Sequence, residues 1–267
     1  MVINMKITVL TENTAKNHNF KCEHGLSLYI ETKGKKILFD AGQSDIFLYN
    51  SKILNIDLKN VDLCILSHGH YDHGGGLKYF LEINNTAPIY INEHAFEPHY
   101  NGKGKYIGLN PVLKENKRLI ITNDICKIDD NMTLYTCNNK ALKYPVEPYG
   151  LTCLKNEEKS PEDFRHEQYL LINENGRKIL ISGCSHKGIV NIAEIFSPDI
   201  LVGGFHFKDI KPDEQGRKIL KEKATLLLKQ KTTYYTCHCT GTQQYDYLKQ
   251  IMGKSLNYIS SGTVIEI

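Results

Sequence analysis

The 267-residue chain has no apolar run approaching the roughly 18 to 20 residues needed to cross a bilayer, so no membrane-spanning helix is expected. It has no large excess of either charge. A formal net charge of +3, spread along the chain, argues against a nucleic-acid partner. It also lacks the dense cysteine framework of a small secreted scaffold. Its eight cysteines (Cys22, Cys64, Cys126, Cys137, Cys153, Cys184, Cys237 and Cys239) are scattered, which favours free thiols in a reducing compartment. The first ten residues, MVINMKITVL, carry one lysine and no small-residue cleavage site, and read as a first strand instead of an export signal. A cytoplasmic protein is therefore expected, with no membrane association and with its oligomeric state open. No internal repeat, low-complexity tract or linker interrupts the chain, so a single domain over residues 1–267 is expected. Apolar residues at 41% and charged residues at 24% suffice for a globular core.

Short apolar runs alternate with turn signals. KITVL, LSLYIE, KKILFD and VDLCIL read as early strands, and SDIFLYNSKIL has apolar residues at helical spacing with Ser44 as a cap candidate. GGLKYFLEI suits a helix and APIYIN a strand. Residues 95–117 are polar, irregular and glycine-bearing, a candidate lid or rim. Strands are expected again at LIITN, MTLYTC, QYLLIN, KILISG, DILVGG and TTYYTC, with helices at KGIVNIAEIF, PDEQGRKILKEKATLLLKQ and QQYDYLKQIM. NYISSGTVIEI reads as a closing strand pair around Gly262. Two mixed halves of this kind predict an α/β fold of four αββα layers, two mixed β-sheets with helices on the outer faces.

One stretch does not fit ordinary loop chemistry. LSHGHYDHGGGL, residues 66–77, crowds His68, His70, Asp72 and His73 into six positions, after a strand and before three glycines. Alternate residues of an extended segment share a face, so His68 and His70 can point together, and a following curl lets Asp72 and His73 face a nearby point. Neutral imidazoles and a carboxylate are ligands for zinc, iron or manganese. Gly74, Gly75 and Gly76 permit close backbone approach beside them. The end of an apolar strand is also where open α/β sheets keep their sites.

The segment His68-Gly69-His70-Tyr71-Asp72-His73 resembles the HxHxDH signature of the metallo-β-lactamase superfamily. LFDAG with Asp40, SGCSH from Ser182 to His186, and CHCTG around His238 are similar to that family's further motifs. Together with EHGLS and GGFHF they resemble the dihydropterin–ribofuranosylaminobenzene phosphate synthase-like subfamily. The resemblance implies two divalent metal ions, zinc first with iron or manganese as alternatives. His68 and His70 would hold the first metal, and Asp72, His73 and His238 the second. The first metal's third ligand is either His166 or His186, and Cys184 stands where most relatives have a bridging aspartate, a softer choice.

The activity implied is a metal-dependent hydrolase that activates water for attack on a small, anionic or phosphate-bearing substrate. Asp72 would orient that water, and His186, His206 and His24 are candidates for general acid or substrate anchor. His24 and Tyr71 are candidates for substrate binding, and Asp40 for fixing an imidazole tautomer through its second nitrogen. The alternatives are a synthase or lyase in pterin-type cofactor assembly, a phosphodiesterase or nuclease, and a diiron redox module of the same fold. His18, His94 and His99 are expected at the surface. Cys237 and Cys239, flanking His238 at alternate positions, are expected to point away from a metal that His238 faces.

Overall fold

A computed structural model describes residues 5–155 and 157–267. The elements run β1 Lys6–Thr11, β2 Ser27–Thr32, β3 Lys35–Phe39, α1 Ile46–Ile53, β4 Leu63–Ile65, α2 Tyr71–Gly74, α3 Leu77–Ile83, β5 Ile89–Asn92, β6 His99–Tyr100 and β7 Leu119–Thr122. They continue with β8 Ile125–Lys127, β9 Met132–Tyr135, β10 Thr152–Lys155, β11 Glu158–Pro161, β12 Tyr169–Glu174, β13 Arg177–Ile181, α4 Ile189–Phe196 and β14 Ile200–Val202. The chain closes with α5 Glu214–Leu227, β15 Thr233–Thr236, α6 Thr242–Met252, β16 Leu256–Tyr258 and β17 Val264–Glu266. Among the described residues no helix is long and apolar enough to cross a membrane. Residues 1–4 of the expected first strand lie outside the described residues.

The chain forms two compact units. The first comprises residues 1–123, 150–168 and 260–267; the second comprises 124–149 and 169–259. Each is built on a seven-stranded mixed sheet. In the first the order is β17-β1-β2-β3-β4-β5-β7, and in the second β16-β15-β14-β13-β12-β9-β8. Both follow one pattern. Three antiparallel pairings (β17–β1, β1–β2, β2–β3) lead into three parallel ones (β3–β4, β4–β5, β5–β7). In the second sheet β8–β9, β9–β12 and β12–β13 are antiparallel, and β13–β14, β14–β15 and β15–β16 are parallel. The repeat lies in topology; no repeated sequence accompanies it.

Local sequence explains the shared pattern. β2 turns into β3 through Lys33-Gly34 and β12 into β13 through Asn175-Gly176, both pairs at positive φ (46° and 78°, 50° and 77°). Two central residues at positive φ match the right-handed twist of the flanking strands and close a two-residue hairpin. The central parallel strands β4 and β14 are short and completely buried, because helices must cross between the parallel strands and cover them. Phe47 of α1 and Leu77 and Phe80 of α3 bury against Leu38, Cys64 and Ile89 in the first unit. Ile189, Ile192 and Ala193 of α4 join Leu220, Ala224, Leu248 and Met252 of α5 and α6 over Leu180, Leu201 and Tyr234 in the second. α5 opens on an Asp213 side chain that accepts the Gly216 N–H at 2.8 Å, one residue after Pro212. Ser44 Oγ accepts from Ile46 N–H at 3.3 Å, while Asp45, at the N-cap position of α1, makes no side-chain capping bond.

Two expectations need correction. NYISSGTVIEI does not form a strand pair: β16 adds in parallel to β15, while β17 pairs with β1. Its second half is claimed by the first sheet, since Gly262 N–H donates to Val9 O at 2.8 Å and Ser261 N–H to Thr14 O at 3.0 Å. A third sheet, β11-β10-β6, was not expected, because its short polar strands carry no apolar alternation. Residues 95–117 contain β6 and a 3-10 turn at Pro111–Glu115, and they are fastened to the histidine segment. His70 bridges to Gly108, and Tyr71 N–H donates to Ile107 O at 2.8 Å.

Candidate metal centre

In the first unit the site grows from the C-terminal ends of two adjacent parallel strands. β3 delivers Asp40, held at φ +59°, and β4 delivers Ser67 and the histidine segment. A non-glycine residue in the left-handed region is strained, and here the strain turns a carboxylate back across the strand ends. Asp40 is fully buried. It accepts Ser67 N–H at 2.7 Å on one oxygen and Ser67 O–H at 2.7 Å on the other. The second oxygen also lies 2.6 Å from His73 Nδ1.

These bonds set the proton positions. A carboxylate accepts only, so His73 carries its proton on Nδ1 and presents the lone pair of Nε2. That Nε2 lies 3.9 Å from Asp72 Oδ2. Ser67 has given its own proton to Asp40, so its oxygen accepts from His68 Nδ1, 2.8 Å away, and His68 likewise presents Nε2. An imidazole whose other nitrogen donates to a carboxylate or a hydroxyl is oriented and made more basic, the arrangement metal-binding histidines require. The rings of His68 and His73 lie 4.2 Å apart and those of His68 and His70 4.6 Å apart. All are buried, and Asp72 is 8% exposed. The donors fit divalent ions of the zinc, iron and manganese type.

Gly76 allows this packing. A Cβ there would stand 2.0 Å from Ala41 O, so the turn after Asp72 and His73 can close onto the segment bearing Asp40 only without a side chain. His24, exposed, approaches Asp72 with Nε2 3.2 Å from Oδ2. Tyr71 is partly buried and has Lys105 Nζ 5.7 Å from its ring centre.

His166 is fully buried and accepts Gly69 N–H on Nδ1 at 2.8 Å. A neutral imidazole has one lone pair, so this bond places the proton on Nε2. That nitrogen lies 3.6 Å from Glu162 Oε1. Glu162 Oε2 is 2.7 Å from His99 Nδ1, and the rings of His99 and His166 lie 4.1 Å apart. His70, His99, Glu162 and His166 offer ligand atoms all within 4.8 Å of one another. His99 is therefore not at the surface as expected. Pairing of β6 with β10 draws it inside, to 0% exposure. His18 is exposed, and His94, half-buried, pairs with Glu97 at 3.0 Å.

The second unit repeats the placement. Ser185, His206 and His238 follow β13, β14 and β15, at φ +59°, +56° and +50°. Cys184, His186 and His238 are buried, and His186 and His206 have ring centres 4.2 Å apart. Both histidines line a cavity of about 640 Å³ together with Tyr144, Tyr149, Phe205 and Lys211. The premise behind the Cys237 and Cys239 expectation does not hold. His238 opens a 3-10 turn (His238–Thr240) and not an extended segment, so strand alternation does not apply. The Sγ atoms of Cys184 and Cys239 and a ring nitrogen of His206 lie within 4.8 Å of one another. Burial pushes the Cys239 thiol up, but the adjacent Cys184 and His206, with the charge of His238, outweigh it and hold the thiol well below its ordinary value. None of the eight cysteines is joined in a disulfide.

Sequence reasoning missed His99, Glu162 and Cys239. Glu162 and His166 sit four apart in EDFRH, a weak signal, and nothing in the sequence ties either to His99.

Residues 21–147 match the family model of the metallo-beta-lactamase superfamily. An uncharacterized protein of Methanocaldococcus jannaschii is 32% identical over 254 residues, covering 92% of this chain and 94% of that protein. A second protein of that organism, named 7,8-dihydropterin-6-methyl-4-(beta-D-ribofuranosyl)-aminobenzene-5'-phosphate synthase, is 31% identical over 290 residues, covering 99% and 97%. The crystal structure of Tm1679, a metal-dependent hydrolase of the beta-lactamase superfamily, matches with a TM-score of 0.83 at 30% identity, over 98% of this chain and 99% of that one.

Proposed function

Because the chain belongs to the metallo-β-lactamase superfamily, we propose that it is a metal-dependent hydrolase acting on a small, anionic or phosphate-bearing molecule. The observation that carries this reading is the wiring of Asp40 and Ser67, which turns the Nε2 atoms of His73 and His68 outward beside Asp72. Two divalent ions held by such donors would lower the pKa of water and polarise an electrophilic carbonyl or phosphoryl group. Asp72 would accept a hydrogen bond from that water and orient it. Asp40 holds the imidazoles without reaching the substrate. Tyr71 anchors the substrate on the first unit, and His24, beside Asp72, serves as proton donor to the leaving group.

For the third ligand of the first metal, the Gly69 bond supports His186 over His166. His166 can ligate through Nε2 only by giving up both that proton and the Gly69 amide. We therefore assign His166 to holding the turn between His68 and His70, and His186 to the metal. In the test, His186→Ala lowers bound metal by about one equivalent and His166→Ala retains it. The opposite pattern reverses the assignment.

A second reading is favoured by the full-length relative named as a synthase. The same residues would then activate a substrate for joining and not for hydrolysis. Assays of metal-loaded protein on phosphate esters and lactones separate the two. Turnover that releases phosphate or acid supports the hydrolase. Inactivity on every ester and lactone, with product formed when a 4-(β-D-ribofuranosyl)aminobenzene 5'-phosphate displaces a leaving group from the 6-methyl carbon of a 7,8-dihydropterin, supports the synthase.

A further inference from the structure

We infer that the cavity of the second unit is a pocket for an uncharged aromatic group of about two fused rings, the part of the substrate that does not react. That the remaining part meets the metal rests on the reading above, through His186, which lines the cavity and is assigned to the metal. The volume of about 640 Å³ lies within the roughly 300–1,000 Å³ of pockets that take ligands of this size. A phosphate or a methyl ester alone would leave most of it to water.

Aromatic side chains select the ligand. Tyr144, Tyr149, Phe205, Phe207, His186 and His206 all line the cavity. Such rings gain from offset or edge-to-face contact with another aromatic ring beyond the area buried, and an alkyl chain offers no equivalent. Tyr149 is the independent observation. It stands at φ +47°, in the left-handed region that bulky side chains rarely occupy, and yet it is 43% exposed. Its ring centre lies 5.5 Å from that of His206, so the strained turn holds an open aromatic ring beside the cavity instead of burying it. Strain kept at an uncovered side chain is accounted for by a ligand that covers it.

The walls are built before any ligand arrives. Tyr144 N–H donates to Asn191 Oδ1 at 2.9 Å and Asn191 Nδ2 donates to Tyr144 O at 3.0 Å, which fastens the tyrosine segment to α4. Gln244 Nε2 of α6 donates to Ile210 O at 2.7 Å and steadies the loop before α5. Gly216 lets α5 begin against that loop, since a Cβ there would stand 1.7 Å from Lys211 O. A preformed pocket loses little freedom on binding. Charge at the cavity is balanced: Glu147 and Glu222 offset Lys211 and Lys223, Asp209 pairs with Lys208 at 3.0 Å, and Asp213 caps α5. An uncharged ring fits there, and the substrate's anionic group belongs elsewhere.

Saturation-transfer NMR titration of the metal-free protein tests the pocket, with 2-naphthol as the aromatic probe and 1-octanol as an alkyl alcohol of comparable hydrophobicity. 2-Naphthol should bind about 5-fold or more tighter than 1-octanol. Tyr149→Asn, which tolerates the left-handed backbone, should weaken 2-naphthol about 3- to 10-fold, while Tyr149→Phe retains it. Ile219→Trp, which fills the cavity from α5, should abolish it. Equal binding of the two alcohols, or parental affinity in either Tyr149→Asn or Ile219→Trp, overturns the proposal. Far-ultraviolet circular dichroism confirms folding, and should Ile219→Trp fail that check, Tyr149→Asn decides. Zinc loading tests the hydrolase reading apart: it should tighten 2-naphthyl phosphate about 10-fold or more and leave 2-naphthol unchanged. No gain for 2-naphthyl phosphate beside normal 2-naphthol binding counts against the metal centre and leaves the pocket standing.

Discussion

Replacing Asp40 by Asn changes one atom and should disable the centre without emptying space. The carboxylate takes three donors, Ser67 N–H, Ser67 O–H and the proton on His73 Nδ1, at 2.6–2.7 Å. An amide offers one acceptor oxygen. With that oxygen on Ser67 N–H, its NH2 group faces Ser67 Oγ and His73 Nδ1, and both donors must reverse. His73 then moves its proton to Nε2, the nitrogen that faces Asp72, and no longer presents a lone pair there. A hydrogen bond to a charged group contributes about 1.5–3 kcal/mol against about 0.5–1.5 for a neutral one, so weakening two or three of them costs roughly 2–4 kcal/mol. Loss of the partner behind a metal-binding histidine lowers metal affinity about 10–100-fold. Urea unfolding of the chelator-treated protein measures the first effect, and zinc titration against a competing chelator the second. Affinity within about 2-fold of the parent and stability within about 0.5 kcal/mol would refute the wiring argument.

Gly76→Ala should destabilise the first unit by about 3 kcal/mol or more, seen as a lower thermal midpoint, because backbone must move to admit the Cβ; a parental midpoint contradicts that packing. At Glu97 burial pushes the carboxyl up, but the Arg165 guanidinium bonded to it, helped by His94, holds it below its ordinary value. A lowered carboxyl stabilises above its unfolded value and loses that contribution as pH falls through the lowered one. Arg165→Met should therefore cost about 0.5–1 kcal/mol at neutral pH, with the gap from the parent closing below the ordinary glutamate range, as read from urea midpoints against pH. A gap that does not change with pH refutes the ion pair's role.

The fold was legible where strand chemistry is local. KKILFD, VDLCIL, KILISG and DILVGG are short, apolar and bounded by turn residues, and they became parallel strands of the two sheets. The HGHYDH segment announced itself because few other arrangements place so many metal-binding side chains after a buried strand. Asp40 was legible as an orienting partner, and the structure sets it against His73. The role of His99 was not legible. Its burial depends on pairing between β6 and β10, more than fifty positions apart, and neither strand alternates apolar and polar residues. The setting of Cys239 was not legible, because strand alternation does not apply to a residue that folds in a 3-10 turn. The split of the last segment between two sheets was hidden for a similar reason: β16 and β17 read alike locally, and only distant partners separate them.

Elemental analysis of the protein purified without chelators and without air, beside Asp72→Ala and His238→Ala, tests the central claim most directly. Each variant is predicted to lose about one equivalent of zinc, iron or manganese relative to the parent while remaining folded. Equal metal content in all three proteins, or a parent that holds none, would contradict the assignment of the HGHYDH segment as the working centre.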